Sequence, residues 1–244
     1  MESTVESTAQ PPASSPVAST ANTTGAVPQP TLGAMAPDSC ELLLIRHGRS
    51  ADVVPGSAES ADPPLHDLGL AQVERLTARL ATKTIHAVYS SHLQRARQTA
   101  APLAAVRGLS VVEHVDLEEV RLGDWGHGEF RRRALSRDPE FVAWMRTGRW
   151  DGIPAAEGDA VFRARVSAVM ESLATKHIGE TIAVVAHGGT IAAYLAHVFD
   201  IHRTIWMATE NTSITVVALH PDGSTVIAIN DCHHLYDPVL GAPA

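Results

Sequence analysis

Short runs of branched and apolar residues recur along the chain after residue 40. They occupy residues 42–45, 87–89 and 181–185. Unbroken apolar runs of this length are typical of parallel strands that are covered on both faces. The pattern therefore predicts a mostly parallel sheet with helices on either side.

Apolar residues at helical spacing fill the intervals between these runs, and Asp67 is placed to cap the first helix. The apolar faces of three predicted helices are Val73, Leu76 and Leu80; Leu93, Ala96, Ala100 and Leu103; and Phe162, Val166, Val169 and Leu173. Residues 212–220 and 224–230 flank a Pro-Asp-Gly turn, which predicts a terminal hairpin. The fold class is α/β, a three-layer sandwich in which helices flank a mostly parallel sheet.

Residues 1–38 differ from the rest of the chain. They are dominated by Ala, Ser, Thr and Pro, without periodicity and with few large apolar residues. Such a segment buries too little surface to offset the entropy of ordering, so we expect a disordered tail followed by one domain over residues 39–244. Met35 precedes the first strand, and an alternative start there is equally compatible with the sequence.

The charge and the cysteines limit the partners that we expect. The formal net charge is −8, which gives no electrostatic reason to bind nucleic acid. No apolar run is long enough for a membrane span or has the form of a secretory signal, so no membrane partner is predicted. Only Cys40 and Cys232 are present, which favours a reducing cytoplasm and leaves their pairing open. The oligomeric state is also open, a homodimer included.

Histidine and arginine cluster where the predicted strands end. Arg46, His47 and Gly48 follow the first strand, and His187 and Gly188 follow a later one. Ligands of parallel sheets bind beyond these carboxyl ends, where glycine allows the backbone and a bound anion to approach closely. Arg95 lies early in the predicted second helix and can point to the same crevice.

This combination of side chains suits a phosphoryl group. Arginine presents forked donors that match phosphate oxygens, and unprotonated histidine is a competent nucleophile. A second, protonated histidine would neutralise charge on the phosphoryl oxygens. The residues alone therefore favour a site for a phosphorylated ligand.

The chain resembles the histidine phosphatase superfamily, also called phosphoglycerate mutase-like, over nearly everything after the tail. The resemblance is carried by LIRHGRS at 44–50, SSHLQRARQTA at 90–100, LEEVRLGDW at 117–125, VVAHGG at 184–189 and NTSIT at 211–215. It implies the phosphoglycerate mutase-like form of the α/β sandwich. Two departures lie near the first motif, where Arg49 replaces the usual Glu or Gln and Val53 replaces a common Asn.

The resemblance also implies roles for individual residues. His47 is the phosphorylated nucleophile, and Arg46, Arg95 and His187 complete the phosphate pocket, with Gly188 beside them. Glu119 is the proton donor, and Glu118 is the weaker candidate for that role. No cofactor and no metal are implied, and the substrate is a small phosphorylated metabolite.

Other polar clusters favour ordinary surface roles. Arg131, Arg132 and Arg133 form a short charge run that we interpret as a solvated helix face. His220, His233 and His234 lack carboxylate or cysteine partners at ligand spacing, so no metal site is predicted. Trp125 and Trp144 are as consistent with a core as with a pocket wall.

The leading hypothesis is a metal-independent phosphatase that hydrolyses small phosphomonoesters through a phosphohistidine. One alternative is a phosphoglycerate mutase, which would return the phosphoryl group to its product. The short interval between Glu119 and His187 argues against it, because mutases carry a longer insert there. A non-catalytic module that binds phosphorylated ligands is the other alternative. The segment from about 126 to 157, where the resemblance is weakest, is expected to set substrate specificity.

Overall fold

The computed structural model describes residues 38–236, so the predicted tail lies outside the described residues apart from Asp38. The described chain forms one six-stranded sheet with the strand order β3-β2-β4-β1-β5-β6. Its strands are β1 (Cys40–Arg46), β2 (Ala87–Ser90), β3 (Val111–Glu113), β4 (Thr181–Ala186), β5 (Ile214–His220) and β6 (Gly223–Asp231). The first four are parallel, whereas β5 is antiparallel to β1 and to β6. The predicted hairpin is therefore confirmed.

Six α-helices cover or cap this sheet. They are α1 (Asp67–Arg79), α2 (Gln94–Ala105), α3 (Glu129–Ser136), α4 (Pro139–Met145), α5 (Asp159–Lys176) and α6 (Gly188–Val198). The structure thus confirms the α/β class and the mostly parallel sheet between helices. No helix among residues 38–236 is long and apolar enough to cross a lipid bilayer.

Alternating side chains of β1 enter two separate cores, which explains the unbroken apolar run. Leu42 and Leu44 pack with the buried faces of α5 and α6, while Leu43 and Ile45 pack with those of α1 and α2. All four side chains are buried. A strand between two helical layers has no polar face, so the apolar run is continuous and does not alternate.

The first helix begins differently from the prediction. His66, not Asp67, is the N-cap, and its imidazole accepts a hydrogen bond from the backbone N–H of Leu68. Asp67 is instead the first residue of the helix, where a negative charge is favoured by the helix dipole. The predicted apolar face is confirmed, since Val73, Leu76 and Leu80 are buried.

An aromatic cluster holds α3 and α4 beside the carboxyl edge of the sheet. Its members are Trp125, Phe130, Phe141, Trp144 and Trp150, with neighbouring ring centroids 5.2–6.5 Å apart. Pairs at this spacing stabilise a structure beyond the area they bury. Trp125 and Trp144 are both buried in this core, and Trp125 also lines the cavity described below.

Candidate active site

The two histidines predicted at strand ends lie side by side. Strands β1 and β4 are neighbours, and their register pairs Arg46 with Ala186, so His47 and His187 follow at the same edge of the sheet. Their ring centroids are 5.0 Å apart, and both side chains are buried. The adjacent cavity measures about 790 Å³, within the range of small-molecule sites.

Hydrogen bonds assign the tautomer of His47. Its Nδ1 lies 2.7 Å from the carbonyl oxygen of Gly48, an acceptor, so Nδ1 carries the proton and donates it. Its Nε2 lies 3.2 Å from Nε of Arg95, which donates to the ring nitrogen. The backbone carbonyl of His47 accepts a hydrogen bond from Nδ2 of Asn211 at 2.9 Å. The imidazole is therefore held with the Nε2 lone pair on the side of Arg95.

The surroundings of His47 keep its ring neutral. Burial lowers the pKa of His47 well below its usual 6.5, and the positive charges of Arg95 and Arg46 lower it further. A neutral imidazole retains the lone pair that nucleophilic attack requires.

His187 is fully buried, and neither of its ring nitrogens has a hydrogen-bond partner among the described residues. Burial and the charge of Arg95 lower the pKa of His187 well below 6.5. Burial therefore favours a neutral His187 in the free site, because it disfavours the charged form.

Two arginines face the histidines from different elements. Arg95 lies in the first turn of α2, where one Nη is 3.8 Å from a carboxylate oxygen of Asp62. Arg46 ends β1 and donates from Nη1 to the backbone carbonyl of Thr209, while its buried Nε has no partner among residues 38–236. Buried donors are normally paired, so the Nε of Arg46 is available to an incoming acceptor.

Two glycines in this region allow neighbouring groups to approach the backbone closely. A Cβ at Gly188 would lie 3.0 Å from Oγ1 of Thr209, so this glycine allows the side chain of Thr209 to approach the backbone. A Cβ at Gly48 would lie only 2.8 Å from the carbonyl oxygen of Gly69, in α1. Gly48 therefore allows α1 to approach the end of β1 closely.

Glu119 is held at the start of α6. Its Oε2 accepts a hydrogen bond from the backbone N–H of Gly189 at 2.9 Å, and its Oε1 accepts one from the N–H of Val120 at 3.1 Å. Glu118 lies beside it in the cavity wall but binds Nε of Arg121 at 2.7 Å. The structure thus places Glu119 in the wall of the same cavity as His47 and gives Glu118 a different partner.

A buried ion pair supports the loop that carries Glu119. Nε of Arg165 lies 2.7 Å from Oε1 of Glu157, and both side chains are largely buried. The same guanidinium donates to the backbone carbonyls of Asp116 and Glu118. Arg165 therefore fixes the backbone that precedes Glu119.

The charge run at 131–133 was interpreted wrongly at its first residue. Arg132 and Arg133 pair with Glu129 on the surface of α3, as a solvated face requires. Arg131 instead lines the cavity, where it donates to the carbonyl of Ala51 at 3.0 Å and to Oγ of Ser50 at 2.9 Å. Successive helical side chains point about 100° apart, which is why one arginine of the run reaches the site.

Cys40, Cys232 and Arg97 do not line the cavity. Cys40 and Cys232 are separate thiols. Among residues 38–236, no three His, Cys, Asp or Glu side chains are arranged to hold a metal ion. Nη1 of Arg97 lies 3.6 Å from a carboxylate oxygen of Glu113, away from the histidines.

Comparison with known proteins agrees with the resemblance seen in the sequence. The model of the histidine phosphatase superfamily (branch 1) matches residues 42–232. Phosphoglycerate mutase-like protein 4 of Arabidopsis thaliana is 31% identical over 81% of this chain and 88% of its own. The metal-independent phosphoserine phosphatase of the same plant is 30% identical over 80% of this chain and 83% of its own.

A solved structure shows the same fold. The phosphoglycerate mutase of Bacillus anthracis superimposes with a TM-score of 0.64 at 21% identity, over 81% of this chain and 96% of its own. The family and its phosphatase members support the prediction of a phosphatase, an enzyme that acts on phosphomonoesters. The chain belongs to the histidine phosphatase superfamily.

Proposed function

We propose that the protein hydrolyses small phosphomonoesters without a metal ion, through a phosphohistidine on His47. The observation that carries this proposal is the buried, neutral imidazole of His47 between Arg46, Arg95 and His187. The Nε of Arg46 and the ring nitrogens of His187 have no hydrogen-bond partner among residues 38–236, and with these groups they form a cationic pocket beside a nucleophile. Such a pocket suits the oxygens of a phosphoryl group.

In the first step, Nε2 of His47 attacks phosphorus while the bond from phosphorus to the ester oxygen breaks. Arg95, which donates to Nε2 in the free site, transfers its hydrogen bond to a phosphoryl oxygen, a more strongly charged acceptor. The dianion also favours protonation of His187 by offsetting the charges of the arginines. Glu119 donates a proton to the leaving oxygen, which departs as an alcohol.

In the second step, Glu119 accepts a proton from a water molecule whose oxygen attacks the phosphohistidine. The bond between phosphorus and Nε2 breaks, inorganic phosphate leaves, and His47 regains its lone pair. This use of one carboxyl group as acid and then as base is the usual logic of a two-step displacement. The charge of Glu119 acts on Arg46 and Arg95, whose pKa values are lowered mainly by burial and are partly restored by this carboxylate.

The relatives guide the choice of substrates for the test. One of them is named a phosphoserine phosphatase, so O-phosphoserine belongs in the panel, beside sugar phosphates, glycerol phosphates and p-nitrophenyl phosphate. We expect stoichiometric phosphate release from at least part of this panel. Transfer of the phosphoryl group within 3-phosphoglycerate, without phosphate release, would instead indicate a mutase. Phosphate analogues that bind without any turnover of the panel would indicate a binding module.

The protein is proposed to act in the cytoplasm, as expected from its two cysteines. A homodimer also stays a prediction, which sedimentation velocity of the full chain would test.

A further inference from the structure

Arg131 is a cation of the cavity that the proposed reaction does not use. It extends from α3 into the same cavity as His47, and its charge contributes to the low pKa of that histidine after burial, Arg95 and Arg46. The guanidinium is partly buried, so it is not a freely solvated surface group.

Arg131 is not paired with an acid in the described part of the chain. Among residues 38–236 it forms no ion pair, and the positions three and four residues away on α3 hold no acidic side chain. The acid whose charge acts on Arg131 is Asp52. Asp52 pairs with Arg49 at 3.5 Å and is mostly exposed. By contrast, Arg132 and Arg133 share Glu129.

The orientation of Arg131 is nevertheless fixed. Nη1 donates to the carbonyl of Ala51 and Nη2 donates to Oγ of Ser50, three residues after His47. A guanidinium has five N–H donors in a planar fork, so three remain for a ligand. A cation that is held in place by neutral acceptors keeps its full charge and loses little entropy on binding an anion.

We propose that Arg131 is a specificity-determining residue that binds a carboxylate carried by the substrate outside its phosphoryl group. The assignment rests on the proposed function for placing the phosphoryl group at His47. A carboxylate is favoured over a second phosphate because Arg131, Arg49 and Asp52 together carry one net positive charge, which balances a single negative charge. Ser50 then acts as a positioning residue, since its hydroxyl holds the fork of Arg131.

Matched phosphonates test this assignment without turnover. 3-Phosphonopropionate and propylphosphonate differ chiefly in a terminal carboxylate, and calorimetry with the full chain measures the affinity for each. We expect the wild type to prefer the carboxylate compound by roughly 10- to 100-fold, the range of charge-assisted hydrogen bonds. Arg131→Met should abolish this preference, whereas Arg132→Met, the matched control on the same helix, should retain it.

Turnover provides the second readout. O-phosphoserine carries a carboxylate that O-phosphoethanolamine lacks. Arg131→Met should raise KM for O-phosphoserine and should change kcat/KM for O-phosphoethanolamine only a little. If Arg131 only holds residues 50 and 51 in place, Arg131→Met should impair the turnover of both substrates equally. That result would overturn the proposal. If Arg131→Met does not fold, Arg131→Lys should keep a reduced preference. Equal affinity of the wild type for the two phosphonates overturns the assignment whatever the variants do.

These outcomes separate the two proposals. A wild type that prefers the carboxylate phosphonate but hydrolyses no phosphomonoester would overturn the proposed function. A wild type that hydrolyses phosphomonoesters without preference for the carboxylate would overturn the role of Arg131 alone.

Discussion

Nε of Arg95 donates a hydrogen bond to Nε2 of His47 across 3.2 Å. The arginine therefore occupies the lone pair that the proposed reaction needs, and it also helps to keep the imidazole unprotonated. A positive charge beside a buried histidine makes protonation unfavourable. In the free site the imidazole of His47 is therefore suited to nucleophilic attack and not to a step that requires an imidazolium. This arrangement has a consequence for stability that can be measured without a substrate.

We predict that acid destabilises the protein through its buried neutral histidines. The pKa values of His47 and His187 are lowered well below 6.5, chiefly by burial, so below pH 6.5 the unfolded chain takes up protons that the folded chain does not. The stabilisation is fully present above pH 6.5 and declines below it. At pH 5.5 each histidine should lower the free energy of unfolding by on the order of 1 kcal/mol.

Urea unfolding at pH 7.5 and 5.5 checks this prediction. In His187→Gln, the loss of unfolding free energy between the two pH values should be smaller by on the order of 1 kcal/mol. The same loss in the variant as in the wild type would contradict a neutral His187. Carboxylates with lowered pKa values, such as Glu157, titrate below this window.

The leaving group should reveal the role of Glu119. An alkoxide leaves slowly unless it is protonated, whereas nitrophenolate leaves readily without a proton. The general acid should therefore increase the rate by on the order of 10² to 10⁴ for alkyl esters only. Glu119→Gln should therefore slow phosphorylation of His47 by an alkyl phosphate far more than by p-nitrophenyl phosphate. Glu118→Gln is the matched control and should change neither. Single-turnover measurements are required, and equal losses for both esters would show that Glu119 donates no proton.

Gly189 tests how Glu119 is positioned. A Cβ at this residue would lie 2.3 Å from Oε1 of Glu119, so Gly189→Ala should push the carboxylate away while leaving the helix intact. We expect a loss of roughly 10-fold or more with an alkyl phosphate, a part of the effect of the acid itself. In the Glu119→Gln background the same substitution should add little, because the displaced group is already inactive. Additive losses in the double variant would contradict the positioning role.

Chelation tests whether arginine replaces a metal ion. Arg46 and Arg95 supply the positive charge that Mg²⁺ provides in many phosphoryl transfer enzymes, so EDTA should leave turnover of p-nitrophenyl phosphate unchanged. The measurement compares initial rates before and after exhaustive dialysis against the chelator. Activity that is lost on dialysis and restored by a divalent ion would contradict the proposal.

The sequence predicted the parts of the fold that repeat a clear pattern. The runs at 42–45 and 181–185 marked the central strands, and their shared edge brought His47 and His187 together as expected. Helix α6 was not predicted. Its residues from Thr190 to Ala196 are all buried, so it lacks the polar face on which helical periodicity depends.

The site was less predictable where tertiary contacts decide the role of a residue. Arg131 could not be distinguished from Arg132 by composition, although the placement of Glu129 three and four residues before the other two arginines was a usable signal. The cap at His66 was missed because Asp67 is the stronger capping residue by type, and only the local backbone shows which side chain reaches the N–H of Leu68.

The central claim is that His47 carries the phosphoryl group, and rapid quenching tests it directly. The full chain is mixed with a ³²P-labelled phosphomonoester, quenched within milliseconds in alkali, and mapped by peptide analysis. We predict label that is stable in alkali and labile in acid, on the peptide that contains His47. We expect no such label in His47→Ala under the same conditions. Label on Ser50 or Ser91, or turnover by His47→Ala at the wild-type rate, would contradict the account.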